Sequence, residues 1–213
     1  MTRAPHPSYR LIPSQFPPIG LFDTVSTAAD LEAVMELAGW TNDRLVRERV
    51  RRLPESEWVF GRANASIVMA AFLHVAPGGG RFNGPDLGAW YAAAALTTAV
   101  AEVAHHLRRE AFARAVPGME RTYRCYTARL DGDFEDVRGR PDLHAPDSYG
   151  QSQQFGEALR ANGGDGVVFD SVRHRGGVNV AAFRPHKVAD VVQAEHFRIA
   201  VAAGDRQVVV ARL

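Results

Sequence analysis

The chain has 213 residues, 46% of them apolar and 23% charged, with a formal net charge of +1. That length suits one domain with a sizeable core and is short for two, and the near-neutral balance gives no electrostatic reason for nucleic acid or an anionic membrane as partner. Cys125 is the one cysteine, so no internal disulfide can form; no apolar run approaches the ~20 residues of a membrane span; and no N-terminal stretch has the basic and apolar regions of a secretion signal, so a cytoplasmic protein is expected.

Residues 1–8, with Pro5 and Pro7, read as a loose tail. Tyr9-Arg10-Leu11-Ile12 reads as a short strand, stopped by Pro13 and Pro17-Pro18. Ala28, Leu31, Val34, Met35 and Ala38 recur at helical spacing, which predicts a helix over 27–38 with Thr27 and Asp30 at its cap and Gly39 at its end. A second, arginine-rich helix with a solvated face is predicted over 43–52. The nearly unbroken apolar run from Ala65 to Val75 predicts a buried helix, and Pro77-Gly78-Gly79-Gly80 then breaks the chain. Trp90 to Ala93 reads as a short strand. Leu96 to Ala115 is the clearest helix, capped by Thr97 or Thr98, filled with alanine and ended by Pro117-Gly118.

The later half changes character. Thr122 to Leu130 alternates as a strand, and residues 131–149 read as a long polar loop. Ser152 to Asn162 is a helix closed by Gly163-Gly164. Gly166 to Asp170 and Asn179 to Phe183 are short strands, and His196 to Val201 with Gln207 to Leu213 makes a hairpin around Gly204-Asp205. Irregular alternation of helices and strands predicts the α+β class.

Familiar nucleotide and metal signatures do not fit. Gly163-Gly164-Asp165-Gly166 precedes a strand, whereas a dinucleotide fingerprint follows one and opens a helix, so it reads as a turn. No phosphate-loop pattern of the GxxxxGK[ST] type occurs. Glu102, His105 and His106 lie within one turn and could share a metal, as in a metal-dependent hydrolase. A second Glu-x-x-His helix and an HExxH pattern are both lacking, so no metal is expected and the histidines read as surface or core groups. Cys125, in a strand-like run, reads as a buried, inert thiol. Lys187 is the only lysine, so nearly all positive charge is arginine, whose planar fork grips phosphate and carboxylate in pairs.

A more informative set is Gly79-Gly80-Arg81-Phe82-Asn83, then Tyr91, then Glu102. The glycines let backbone come close to a ligand, and amides with Arg81 can grip a pyrophosphate. Tyr91 offers a stacking face with a polar tip. Glu102 interrupts the helix face of Ala99, Ala101, Val103 and Ala104, where a carboxylate gains from the helix N-terminus and can stabilise a developing cation. Taken singly, these residues read more simply as a surface arginine, a core tyrosine and a solvated glutamate.

As an ordered set they resemble the RES domain family. Its members carry a Gly-Gly-Arg-aromatic-Asn motif, then a Tyr in a short strand, then a Glu in an alanine-rich helix, here Gly79 to Asn83, Trp90-Tyr91 and Ala99 to Val103. The earlier Tyr9-Arg10 strand and the later Ser171 near Gly176-Gly177-Val178-Asn179 fit the same order, so the resemblance extends over most of the chain. It implies one α+β domain over 1–213 similar to ADP-ribosyltransferases, with small mixed sheets, flanking helices and an inserted, mostly helical segment at about 20–75.

The resemblance also implies an enzyme that breaks the nicotinamide–ribose bond of NAD and passes ADP-ribose to phosphate, as the toxin of a toxin–antitoxin pair. Water or a protein remains open as the acceptor, and a non-catalytic binding module of the same fold is the alternative. A helix-turn-helix antitoxin of the Xre-like type is the implied partner. The implied catalytic groups are Glu102, Arg81 and Tyr91, with Tyr9, Arg10, Gly80, Asn83 and Ser171 binding NAD. Phe82 stands where tryptophan is common, and the wide separation of Arg10 from Arg81 leaves either Arg10 or Arg62 as the first-strand arginine.

Overall fold

The computed structural model describes residues 1–16, 20–30, 33, 50 and 52–213. The helices predicted over 27–38 and 43–52 therefore lie largely outside the described residues. Where the first begins, the Asp30 amide donates to Thr27 Oγ1 at 3.1 Å, the cap read from the sequence.

The described elements, numbered in chain order, are β1 (Ser8–Pro13), α1 (Ala65–Leu73), β2 (Trp90–Ala93), α2 (Leu96–Ala113), β3 (Gly118–Leu130), β4 (Glu135–Asp136), α3 (Gly150–Ala161), β5 (Gly166–Asp170), β6 (Val178–Ala182), β7 (Val188–Ala202) and β8 (Val208–Arg212). The class is α+β. The strands join one mixed sheet in the order β4-β5-β6-β2-β1-β3-β7-β8. Neighbours run antiparallel except β4 and β5.

Side-chain alternation along the strands divides the core between the two faces. On one face, Trp90, Ala92, Tyr126, Ala128, Val168 and Val180 pack against α1. All of α1 except Ala70 is buried. A helix apolar all round shows no amphipathic period, so its unbroken run is the one sequence signal it offers. Asp23 caps it from a distant loop, accepting the Asn64 amide at 3.1 Å and the Ser66 amide at 2.8 Å.

The other face carries two separate clusters. In one, Ala99, Ala104 and Leu107 of α2 cover Leu11, Ala93, Tyr123, Cys125 and Ile199. In the other, Phe82, Val137 and Leu143 cover Val167, Phe169 and Ala181, with Phe155 and Leu159 of α3 beside them. Burial pushes the Cys125 thiol up to about 11, so it stays protonated at neutral pH and inert.

Three local expectations are corrected. Neither Thr97 nor Thr98 caps α2: the N-cap is Ala95 in extended backbone with no side-chain bond, and the Thr98 hydroxyl is turned to His174 instead. The predicted loop over 131–149 contains β4, which pairs with β5 in parallel. β7 starts eight residues earlier than expected, at Val188 instead of His196. Polar residues such as Asp190, Gln193 and Glu195 hide this stretch from pattern reading, whereas pairing with β3 satisfies its backbone groups.

Candidate functional site

A cavity of about 380 Å³ occupies the gap between the two clusters on the α2 face. Its walls include Tyr9 and Arg10 of β1, Tyr91 of β2, Gly80 and Arg81, Glu102 and His106 of α2, Tyr149 and Asn179. β1 and β2 meet in register at the single pair Tyr9↔Ala93. Arg10 takes the place of further pairing, donating from Nη1 to the Tyr91 carbonyl at 2.8 Å. Its guanidinium lies 4.8 Å over the Trp90 ring, and burial lowers its pKa to about 10, which leaves it charged at neutral pH. Arg62, the alternative first-strand arginine, donates to the Val188 carbonyl at 2.7 Å and does not line the cavity.

The Gly79–Asn83 loop is built around the Tyr91 hydroxyl. That oxygen accepts the Phe82 amide at 2.8 Å and donates to Asn83 Oδ1 at 2.8 Å. The bond to Asn83 needs the protonated phenol, and burial raises the Tyr91 pKa, which keeps the hydroxyl protonated. Asn83 Nδ2 in turn donates to the carbonyls of Gly84 at 2.8 Å and Leu87 at 3.1 Å. Asn83 therefore anchors the loop and is not itself on the cavity wall. Gly80 has a packing reason to be glycine: a Cβ there would stand 2.5 Å from Asn83 Oδ1 and 2.7 Å from the Tyr91 hydroxyl. Gln153 of α3 braces the loop from outside, donating to the carbonyls of Gly78 at 2.7 Å and Gly80 at 2.9 Å.

Arg81 is buried to 8% exposure. Its Nη1 donates to the Ala145 carbonyl at 2.9 Å and less closely to Leu143 at 3.4 Å, and its guanidinium lies 4.6 Å over the Tyr149 ring. Burial lowers its pKa and the nearby Tyr149 opposes that shift. Tyr149 stands on the cavity wall. Sequence reasoning misses it, because it lies in an irregular polar segment where no period marks an inward position.

Glu102 is held from the turn after β5 and from β6. Its Oε1 accepts the Ser171 hydroxyl at 2.6 Å and the Asn179 amide Nδ2 at 2.7 Å. Ser171 is turned to Glu102 and does not line the cavity. Its Oγ also accepts the amides of Arg173 at 3.2 Å and His174 at 3.0 Å. Glu102 sits in the second turn of α2, where the field of the helix terminus has faded, so these two donors orient the carboxylate. In the sequence Asn179 reads as the end of a glycine turn and the start of a strand, not as a site residue; it faces the same side of the sheet as Tyr91 by strand alternation.

His105 and His106 stack edge to face with centroids 5.5 Å apart. Among the described residues no group of three or more His, Cys, Asp or Glu side chains is gathered to hold a metal. Burial, followed by the charge of Arg173, pushes the His105 pKa down to about 4. A histidine with its folded pKa below the unfolded value of about 6.5 binds more protons when unfolded in that interval. Stability is therefore expected to fall as pH drops from about 6.5 toward 4, and denaturant titrations of the wild type and His105→Gln should show a shallower decline in the variant. Parallel declines would remove His105 as the cause.

Over residues 49–202 the sequence matches the RES domain. The uncharacterized protein y4oC of Sinorhizobium fredii (strain NBRC 101917 / NGR234) is 28% identical over 195 residues, covering 89% of this chain and 80% of that protein. A chain in the crystal structure of the M. tuberculosis MbcT–MbcA toxin–antitoxin complex is 20% identical with a TM-score of 0.43, over 55% of this chain and 73% of that one. The family match includes Arg81, Tyr91, Glu102, Ser171 and Asn179, and begins after β1, which carries Tyr9 and Arg10. A match covering this much of the chain makes the protein a member of the RES domain family.

Proposed function

We propose that this RES-domain protein consumes NAD, breaking the nicotinamide–ribose bond and transferring ADP-ribose to inorganic phosphate, and that it acts as the toxin of a pair restrained by a helix-turn-helix antitoxin of the Xre-like type. The observation that carries the reading is a carboxylate, Glu102, held by Ser171 and Asn179 on the wall of a cavity that also contains Arg81 and Tyr91. NAD combines the features such a cavity suits: an anionic diphosphate for arginine and a ribose carbon that becomes cationic as its bond breaks.

In this mechanism the C1′–N bond breaks with its electron pair going to nicotinamide, which leaves neutral and needs no strong general acid. C1′ passes through an oxocarbenium-like state, and a phosphate oxygen forms the new C1′–O bond. Glu102 stabilises the developing positive charge, using the carboxylate oxygen that Ser171 and Asn179 leave free. Arg81 holds the diphosphate and Tyr91 packs against the nicotinamide ribose. Arg10, already engaged with Trp90 and the Tyr91 carbonyl, supports the cavity wall and supplies positive charge.

The test is to follow nicotinamide and ADP-ribose products from NAD with purified protein, with and without inorganic phosphate. Release that accelerates with phosphate and yields a phosphorylated ADP-ribose supports the proposal. Release indifferent to phosphate points to water or a protein as acceptor. Absence of release from folded, antitoxin-free protein rejects turnover and leaves a nucleotide-binding module.

A further inference from the structure

The turn between β5 and β6 touches α2 at two points. One is the Ser171–Glu102 bond of the site. The other lies one helical turn earlier, where Thr98 Oγ1 and His174 Nδ1 share a hydrogen bond of 2.9 Å. Thr98 and Glu102 stand at i and i+4 and so project from the same side of α2. On the turn, Ser171 and His174 are tied by the His174 amide donating to Ser171 Oγ at 3.0 Å. The two contacts thus close a ring: helix, Glu102, Ser171, His174, Thr98, helix.

The turn is shaped to come this close. A Cβ on Gly177 would lie 2.8 Å from both Oγ1 and Cγ2 of Thr98 and 2.9 Å from His174 Nδ1. Gly176 takes the left-handed conformation, φ 76°, that glycine adopts without strain. Backbone bonds from Ser171 to the Gly177 carbonyl and from Gly177 to the His174 carbonyl, both 2.8 Å, close the turn internally. Thr98 is buried to 1% exposure yet spends its hydroxyl on this contact, not on capping its own helix.

We infer that Thr98 and His174 are positioning residues for Glu102: their hydrogen bond sets the depth at which the 171–177 turn docks on α2, and with it the place where Ser171 holds the carboxylate. Neither side chain lines the cavity, so neither meets the substrate in this arrangement. A carboxylate that acts on one ribose carbon is sensitive to displacements well under an ångström. The kinetic readout of the inference rests on the proposed NAD reaction; its structural readout does not.

The test uses Thr98→Val, which keeps the shape and removes the hydroxyl, Thr98→Ser, which keeps the hydroxyl, and His174→Leu and His174→Asn, the last placing a polar atom near the Nδ1 position. Thr98→Val and His174→Leu should each lower kcat by about 10- to 100-fold with KM for NAD changed less than about twofold, the scale on which misplacement of a catalytic group acts. The double variant should be no slower than the worse single, because both remove one contact. Thr98→Ser and His174→Asn should recover most of the rate. Amide hydrogen exchange at Arg173 and His174, whose N–H groups donate to Ser171 Oγ, should quicken in Thr98→Val while the overall melting temperature holds. A wild-type kcat in Thr98→Val, or multiplicative losses in the double variant, would overturn the inference. Should the wild type itself leave NAD intact, the reaction is wrong, and unchanged exchange at those two amides would still reject the positioning role independently.

Discussion

Glu102→Gln is expected to slow nicotinamide release by at least ~10²-fold, the scale for removing one preorganised electrostatic stabiliser. The substitution keeps the side chain's volume, and the glutamine Oε1 can still accept from Ser171 and Asn179, the two partners of the native oxygen. What it removes is the negative charge that would face the developing cation at C1′. In the proposed mechanism NAD is bound mainly by other groups, so KM should change little while kcat falls, the pattern of an interaction made in the transition state. Steady-state kinetics on a variant with a wild-type melting curve checks this. A kcat within about threefold of wild type would take Glu102 out of the chemistry.

Arg81→Lys should have the second largest effect, and on binding instead of turnover. Arg81 presents a planar fork whose flat face rests on Tyr149 while Nη1 donates to the carbonyls of Ala145 and Leu143. This fixes the guanidinium before ligand arrives and leaves its other donors for an anionic oxygen. Lysine keeps the charge but loses the face and the paired donors. Charge-assisted hydrogen bonds are worth about 1.5–3 kcal/mol, so affinity for ADP-ribose should fall by about 10- to 100-fold. Isothermal titration with ADP-ribose reads this directly, without turnover. Unchanged affinity would mean that the diphosphate lies elsewhere in the cavity and that Arg81 serves the fold.

Part of this site is legible in the amino-acid sequence, because its residues sit in short motifs with strong local signals. Gly79-Gly80 marks a loop, and glycine is required there because backbone and the Tyr91 hydroxyl approach too closely for a Cβ. Glu102 stands out as a charge on an alanine-rich helix face. Other features have no local signal. Tyr149 belongs to an irregular segment, and Thr98 carries a hydroxyl that suits a cap, the reading that local chemistry favours when the position of His174 is unknown. The same holds for Arg10, whose side chain could serve a ligand or, as found, the Trp90 ring and the Tyr91 carbonyl.

Periodicity, the one unbroken apolar run of α1 and turn chemistry are enough to place the described helices and most strands, since these signals depend on side chains a few positions apart. They also separate the α+β class from parallel nucleotide-binding folds. The order of the sheet lies beyond such signals: β1 sits between β2 and β3, and β6 pairs with β2 from far along the chain. That order brings Ser171 and Asn179 to Glu102 over 69 and 77 positions of sequence. It also leaves a gap between two core clusters that becomes the cavity. Contacts of that range arise from packing the whole apolar core at once, so which polar groups meet inside it is decided by the tertiary structure alone.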